Sequence, residues 1–110
     1  IFKLQNVLYT MLHFEVTSKL NKKIRVTEKY WEFIIKIKHP SMKGKESIVK
    51  EVLKDPDQIR RSRTDQNVYL YYKKNAVFTC VVCRHENGEG FIITTYQTDK
   101  IKEGEQIWKK

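Results

Sequence analysis

Four short runs between residues 59 and 96 decide the fold: IRRSR (59–63), VYLYYK (68–73), VFTCVVCR (77–84) and GFIITTY (90–96). Each run is rich in β-branched and aromatic residues, which favour strands. The links between them are short and polar, and short links join antiparallel neighbours. The runs therefore predict a four-stranded antiparallel meander.

The residues before the meander predict a hairpin followed by two helices. Polar and apolar residues alternate over Met11–Thr17 and again around Ile24 and Val26, as in two paired strands. Apolar residues then recur at helical spacing over Tyr30–Lys38, after Thr27 as a capping residue, and over Lys45–Leu53. We expect an α+β fold in which the N-terminal hairpin and the two helices pack on one face of the meander. The other face would stay open.

Length and charge limit the choice of function. The 110 residues suffice for one domain, so we expect a single domain over residues 1–110. Lys and Arg number 22 against 13 Asp and Glu, and the resulting charge of +9 attracts polyanions. A generally lysine-rich proteome would give the same composition without such a partner. Apolar runs are too short to span a membrane, and the start does not have the layout of a signal peptide, so the expected location is the cytoplasm.

Arginines and tyrosines on adjacent predicted strands indicate an RNA-binding surface. If Ile59 faces the helices, Arg60 faces outward, and in the next strand Val68, Leu70 and Tyr72 form core while two tyrosines are open. Exposed cations beside aromatic rings suit a phosphate backbone and stacked bases. The alternative is an edge strand that its charges protect from pairing. The predicted RNA-binding residues are Arg61, Ser62, Arg63, Tyr69, Tyr71, Lys73 and Lys74.

His39 is the best candidate for acid–base chemistry. It lies at the break between the predicted helices, before Pro40, where an imidazole is exposed and held. The alternative is that it caps the preceding helix as a cation. His13 and His85 are weaker candidates. Polar residues also gather at the end of the last strand, around Thr95 and Tyr96, where substrate groups are often bound.

Metal and cofactor chemistry is not expected. Cys80 and Cys83 have the spacing of a metal motif, but on a strand they point to opposite faces, and there is no second pair to complete four ligands. The sequence contains no Gly-rich phosphate loop and no acidic cluster for Mg²⁺. We therefore expect neither a metal nor a cofactor, and two structural thiols.

The order of several motifs resembles that of a nuclease group. His39-Pro40, Asp55-Pro56-Asp57 leading into Arg60 and Ser62, the tyrosine-rich strand 68–73, and residues 87–96 together resemble the prokaryotic and phage nucleases related to barnase, EndoU, colicin-type tRNases and RelE-like toxins. The resemblance covers about residues 24 to 108. It implies helices packed on a four-stranded antiparallel sheet and RNA cleavage that needs no metal.

The resemblance also implies roles for four residues. His39 would be the general acid or base, Arg60 would stabilise the phosphorane, and Thr95 with Tyr96 would hold the phosphate. Residues 96–98 look like the segment that follows the catalytic histidine of barnase, but Thr95 stands at the preceding position, and threonine is a poor proton donor. Either Tyr96 or His39 would then have to protonate the leaving group, or catalysis would be weak.

Three hypotheses about function follow. The first is a toxin-like, metal-independent endoribonuclease in which the ribose 2′-OH attacks the adjacent phosphate. The second is an RNA-binding domain without activity. The third is a basic protein that docks an acidic partner such as an antitoxin or immunity protein. The oligomeric state is not predicted.

Overall fold

A computed structural model describes residues 11–101 and 103–110 and shows one mixed sheet beside short helices. The strands are β1 (Leu12–Thr17), β2 (Lys23–Thr27), β3 (Gln58–Arg61), β4 (Val68–Asn75), β5 (Val77–Glu86), β6 (Glu89–Thr98) and β7 (Glu105–Lys109). The α-helices are α1 (Glu28–Phe33) and α2 (Glu46–Lys54), with a π-helical segment at Ile34–Lys38 and a 3₁₀ turn at Pro40–Met42 between them. The strand order in the sheet is β1-β2-β6-β5-β4-β3-β7.

The predicted four-stranded antiparallel meander with two packed helices is wrong. The sheet has seven strands among the described residues, and β2 pairs with β6 in parallel through Lys23–Arg25 and Glu89–Phe91. The N-terminal hairpin therefore extends the sheet instead of packing on it. At the opposite edge, β7 pairs with β3. Both additions depend on contacts between distant parts of the chain, which local periodicity does not encode.

The first helix begins as predicted and then changes its geometry. Thr27 caps it, because the Thr27 side-chain oxygen accepts a hydrogen bond from the Tyr30 amide at 3.1 Å. From Ile34 onward the helix has the wider π form, and it ends at His39, before Pro40. Its buried side is formed by Trp31 and Ile34.

Both faces of the central sheet are buried in part, and this corrects the predicted orientation of β4. Tyr69 and Tyr71 lie on the face that the helices cover. Leu70 and Tyr72, at 2% and 1% exposure, lie on the other face, where Ile101 of the β6–β7 connection packs against them. Alternation along a strand predicts two faces but does not distinguish them when both are apolar.

Gly90 allows β6 to lie close to the backbone of β5 and to the Ile24 side chain of β2. A Cβ atom at Gly90 would clash with the Arg84 carbonyl oxygen and lie 2.9 Å from Ile24 Cδ1, whereas a Cβ at Gly88 would meet nothing within 4 Å. We expect Gly90→Ala to lower the free energy of unfolding by about 1–3 kcal/mol, as overpacking does. Gly88→Ala is the control, and urea denaturation is the measurement. Equal stability of the two variants would contradict this account of the β2–β6 contact.

None of the described helices is long and apolar enough to cross a bilayer. The prediction that the chain starts without a signal peptide concerns residues 1–10, which lie outside the described residues.

Candidate functional site

A lysine-rich segment runs along the side of β6. Residues 33–45 contain four lysines and no acidic residue. Three contacts fix the segment to β6. Lys38 Nζ lies 3.4 Å from the Ile93 carbonyl oxygen, the His39 ring lies against Tyr96, and Lys45 Nζ donates to Gln97 Oε1 at 3.2 Å. We call residues 36–45 the His39 segment. Its charge run was visible in the sequence, but the prediction named only His39.

The chain reversal places the His39 imidazole partly in solvent. Its ring centroid lies 5.5 Å from that of Tyr96, with 36° between the ring planes. Partial burial and the nearby Lys38 charge lower the pKa of His39 below 6.5. The imidazole is therefore mostly neutral at pH 7 and able to accept a proton. A capping cation would have a raised pKa, so this direction disfavours the alternative that His39 caps the helix.

Tyr96 supports the imidazole through its ring. Burial and the Cys80 thiol raise the pKa of Tyr96, whose hydroxyl forms hydrogen bonds with the Cys80 thiol and the Tyr72 hydroxyl on the second face of the sheet. The phenol therefore stays protonated, and its hydroxyl is already bound within that face. In this arrangement Tyr96 positions the imidazole instead of transferring a proton.

Thr95 does not join His39, which corrects the predicted phosphate site. The residue is 0% exposed on the helix-covered side, and its hydroxyl donates to the Cys80 carbonyl oxygen at 2.8 Å. Successive residues of a strand point to opposite faces, so Thr95 and Tyr96 cannot both present their side chains to one phosphate. Thr95 is a structural residue.

Arg60 shares the Tyr96 face but lies far along the sheet. It belongs to β3, three strand spacings and two residues from Tyr96 of β6, which puts the two Cα atoms roughly 16 Å apart. Its guanidinium donates to Gln58 Oε1 at 2.9 Å and to the Gly104 carbonyl oxygen at 2.8 Å. Arg60 therefore holds the β6–β7 connection, and the predicted convergence of His39, Arg60 and Thr95 is not observed.

The predicted RNA-binding residues divide into available and engaged side chains. Arg61, Arg63 and Lys74 are exposed, and Tyr69 is partly exposed. Tyr71 is fully buried and cannot stack on a base, so that prediction is wrong. Ser62 Oγ accepts hydrogen bonds from the backbone of the following turn, at Thr64 and Asp65. Lys73 Nζ lies 3.3 Å from Asp55 Oδ2.

Three buried polar side chains on the helix-covered face form hydrogen bonds that link β4, β5 and the turn between β1 and β2. Tyr71 Oη lies 2.9 Å from Ser18 Oγ and 3.0 Å from His85 Nε2. Burial, with a smaller contribution from the Lys22 charge, lowers the pKa of His85 to about 4. His85 is 7% exposed and therefore neutral at pH 7. The sequence suggested only a polar turn residue there, because the tyrosine partner is distant in the chain.

The His85 shift predicts acid sensitivity. In the unfolded chain His85 gains a proton near pH 6.5, whereas in the folded protein it gains one only near pH 4. This contribution to stability is complete above pH 6.5 and is lost as the pH falls, by about 3 kcal/mol at pH 4. His85→Gln, which keeps a polar group and does not titrate, should lose correspondingly less between pH 7.5 and pH 4. Urea titrations of both proteins at the two pH values measure this, and equal losses would contradict it.

The remaining candidate groups are accounted for by packing. His13 Nε2 lies 2.9 Å from Glu46 Oε2, and the His13 ring stacks on Trp31. Cys80 and Cys83 are buried on opposite faces, and burial raises the pKa of Cys80 to about 12 and that of Cys83 well above its usual value. Both are thiols at neutral pH. Residues 11–101 and 103–110 contain no group of three or more His, Cys, Asp or Glu side chains placed to hold a metal ion.

No protein family, curated protein or solved structure matches the chain in the three comparisons. Nothing in them connects it to the barnase and RelE-like nucleases that its motifs resemble.

Proposed function

We propose that the protein is a metal-independent endoribonuclease whose site is the His39 segment. One observation carries the proposal. A neutral, partly exposed imidazole, supported by the Tyr96 ring, lies in a segment with four lysines and no acidic residue. Such a setting attracts phosphates and places a proton acceptor near the bound ribose, which are two of the requirements for RNA cleavage through the 2′-OH.

The proposed step uses groups of the chain and of RNA itself. His39 takes the proton of the ribose 2′-OH, and the 2′ oxygen then bonds to the adjacent phosphorus. The bond from phosphorus to the 5′ oxygen breaks, and that oxygen takes a proton from a water molecule. The resulting hydroxide takes the proton that His39 gained, so that water and the neutral imidazole are restored. The products are a 2′,3′-cyclic phosphate and a 5′-hydroxyl. The ammonium groups of Lys38 and Lys45, both beside β6, stabilise the extra negative charge on the phosphorane.

A second candidate function is RNA binding without cleavage. It is favoured by the placement of the other predicted catalytic residues, since Thr95 is buried and Arg60 is bound to Gln58 and Gly104. The same lysines would also suit an acidic protein partner, such as an antitoxin or immunity protein, as a third candidate.

Incubation of the purified chain with total RNA in EDTA separates these functions. The nuclease proposal predicts shortened RNA with cyclic phosphate ends, and no shortening by a His39→Ala variant purified in the same way. Intact RNA that migrates as a complex would overturn the nuclease and support the second candidate. RNA that is neither bound nor cut would overturn both and leave the acidic protein partner.

A further inference from the structure

A second surface, distant from His39, combines aromatic rings with cations. It is formed where the turn between β1 and β2 folds over the ends of β3, β4 and β7. The Lys19 amide donates to the Leu53 carbonyl oxygen at 2.8 Å, and Ser18 Oγ contacts the buried Tyr71 hydroxyl at 2.9 Å. The turn is therefore tied to α2 and to β4, and its side chains are held over the sheet.

Three side chains of this surface lie together, because Tyr69 stacks on His85 and Arg61 lies beside Tyr69. The rings of Tyr69 and His85 are parallel within 12°, with centroids 3.9 Å apart. The Arg61 guanidinium lies over the Tyr69 ring at 6.0 Å. His85 is fixed from below by its hydrogen bond with Tyr71. Arg61 is exposed and forms no ion pair with another described residue, although Glu105 lies opposite it in β7. The group beside the Tyr69 ring is thus an exposed guanidinium without an acidic partner among the described residues.

Trp108 provides a second ring on the same surface. It is partly exposed, one part of it packs on the core, and Lys19 Nζ lies 5.4 Å from its ring centroid. Trp108 lies opposite Ile59 in β3, while Tyr69 lies opposite Arg61. Two strand spacings and two residues separate the two rings, which is roughly 12 Å. Each ring therefore has its own cation.

This arrangement suits unpaired bases. In duplex RNA the base faces are stacked inside the helix, and proteins contact mainly its phosphates and 2′-hydroxyls. Guanidinium planes and aromatic rings instead stack on bases that are splayed out of a single strand. Phosphate binding alone would need the charges of Arg61 and Lys19 but no ring beneath either of them.

We infer that Arg61 above Tyr69, together with Lys19 and Trp108, forms a binding site for the unpaired bases of single-stranded RNA. This inference rests on the proposed action on RNA and names the class of RNA that is bound. The site is separate from the His39 segment and selects the strand without taking part in cleavage.

Binding of 2′-O-methyl RNA, which lacks the attacking hydroxyl, tests the inference. A single strand and a duplex of equal length are titrated in EDTA with the wild-type chain and with variants. Arg61→Lys keeps the charge and removes the stacking plane, and Trp108→Leu removes the ring. Each should weaken single-strand binding by ~5- to 150-fold, the usual worth of one stacked base, and leave duplex binding within about twofold. Arg25→Lys, at a partly exposed arginine of β2 that pairs with Glu89 and lies outside this surface, should change neither.

The possible outcomes distinguish this inference from the proposed function. Equal losses for single strand and duplex, or wild-type binding that is as tight to the duplex, would overturn the stacking site. In that case, cleavage of total RNA by the wild-type chain would leave the nuclease proposal standing. If Trp108→Leu fails to fold, the Arg61→Lys variant by itself tests the stacking site, because the Arg61 side chain is exposed and its replacement should not affect folding.

Discussion

His39→Ala is expected to reduce RNA cleavage by ~10²–10⁴-fold, the usual loss when one catalytic proton transfer is removed. RNA affinity should change little, because the neutral imidazole contributes no charge to phosphate binding. The measurement is the single-turnover rate on a labelled RNA, with affinity determined separately on 2′-O-methyl RNA. A wild-type rate in His39→Ala would remove the catalytic role of this residue.

A matched control and the pH profile distinguish chemistry from folding. His13→Ala also removes a partly exposed histidine, which is paired with Glu46 and lies outside the His39 segment, and it should keep the wild-type rate. Since burial and the Lys38 charge lower the pKa of His39 below its usual value, more than half of the imidazole stays neutral at pH 6.5 and can act as the base. Activity should fall only as the pH drops through that lowered pKa. A rate that falls from pH 8 would indicate a different base.

Replacing Lys38, Lys43 and Lys45 together with glutamine should produce the second large effect. Each ammonium that contacts a phosphate releases a counterion. The affinity for single strands therefore falls as salt rises, and each contact adds roughly 0.7 to the slope of log affinity against log salt concentration. Losing three contacts should reduce the slope of log affinity against log salt concentration by roughly 2. If the two proteins bind equally at 1 M salt, the variant should therefore bind about 100-fold more weakly at 0.1 M salt. Affinities measured from 50 to 300 mM salt on 2′-O-methyl RNA give the slope.

The control for this variant has the same change of charge elsewhere. Lys23, Lys54 and Lys109 are exposed and lie outside the His39 segment. Their replacement with glutamine lowers the net charge equally but should flatten the slope much less. Equal effects of the two triple variants would mean that RNA affinity depends only on the net charge of the protein. The proposed role of the His39 segment in binding would then be wrong.

Local pattern predicted most strands but not their arrangement. Residues 68–73 lie within β4 and residues 77–84 within β5, since each run is apolar and bounded by polar turns. The parallel β2–β6 pairing is only three residues long and joins segments more than 60 residues apart, so no local signal marks it. β7 was missed because its only large apolar residues are Ile107 and Trp108, between charged ends.

The candidate site was predictable in part. The break before Pro40 indicated an accessible His39, because proline must end the helix there. The contact with Tyr96 was not predictable, because it depends on the π-helical segment running beside β6. Tyr71 was assigned to the wrong face because both faces of β4 are apolar. The stack of Tyr69 on His85 depends on the register between β4 and β5, which the sequence leaves open.

The most direct test of RNA cleavage through the 2′-OH uses oligonucleotides with one ribonucleotide in an otherwise deoxy chain and with randomised flanks. In EDTA, the account predicts cleavage directly after the ribonucleotide, a 2′,3′-cyclic phosphate on one product and a 5′-hydroxyl on the other. It predicts no cleavage of the all-deoxy pool. An uncut mixed pool, or equal cutting of the all-deoxy pool, would contradict the account.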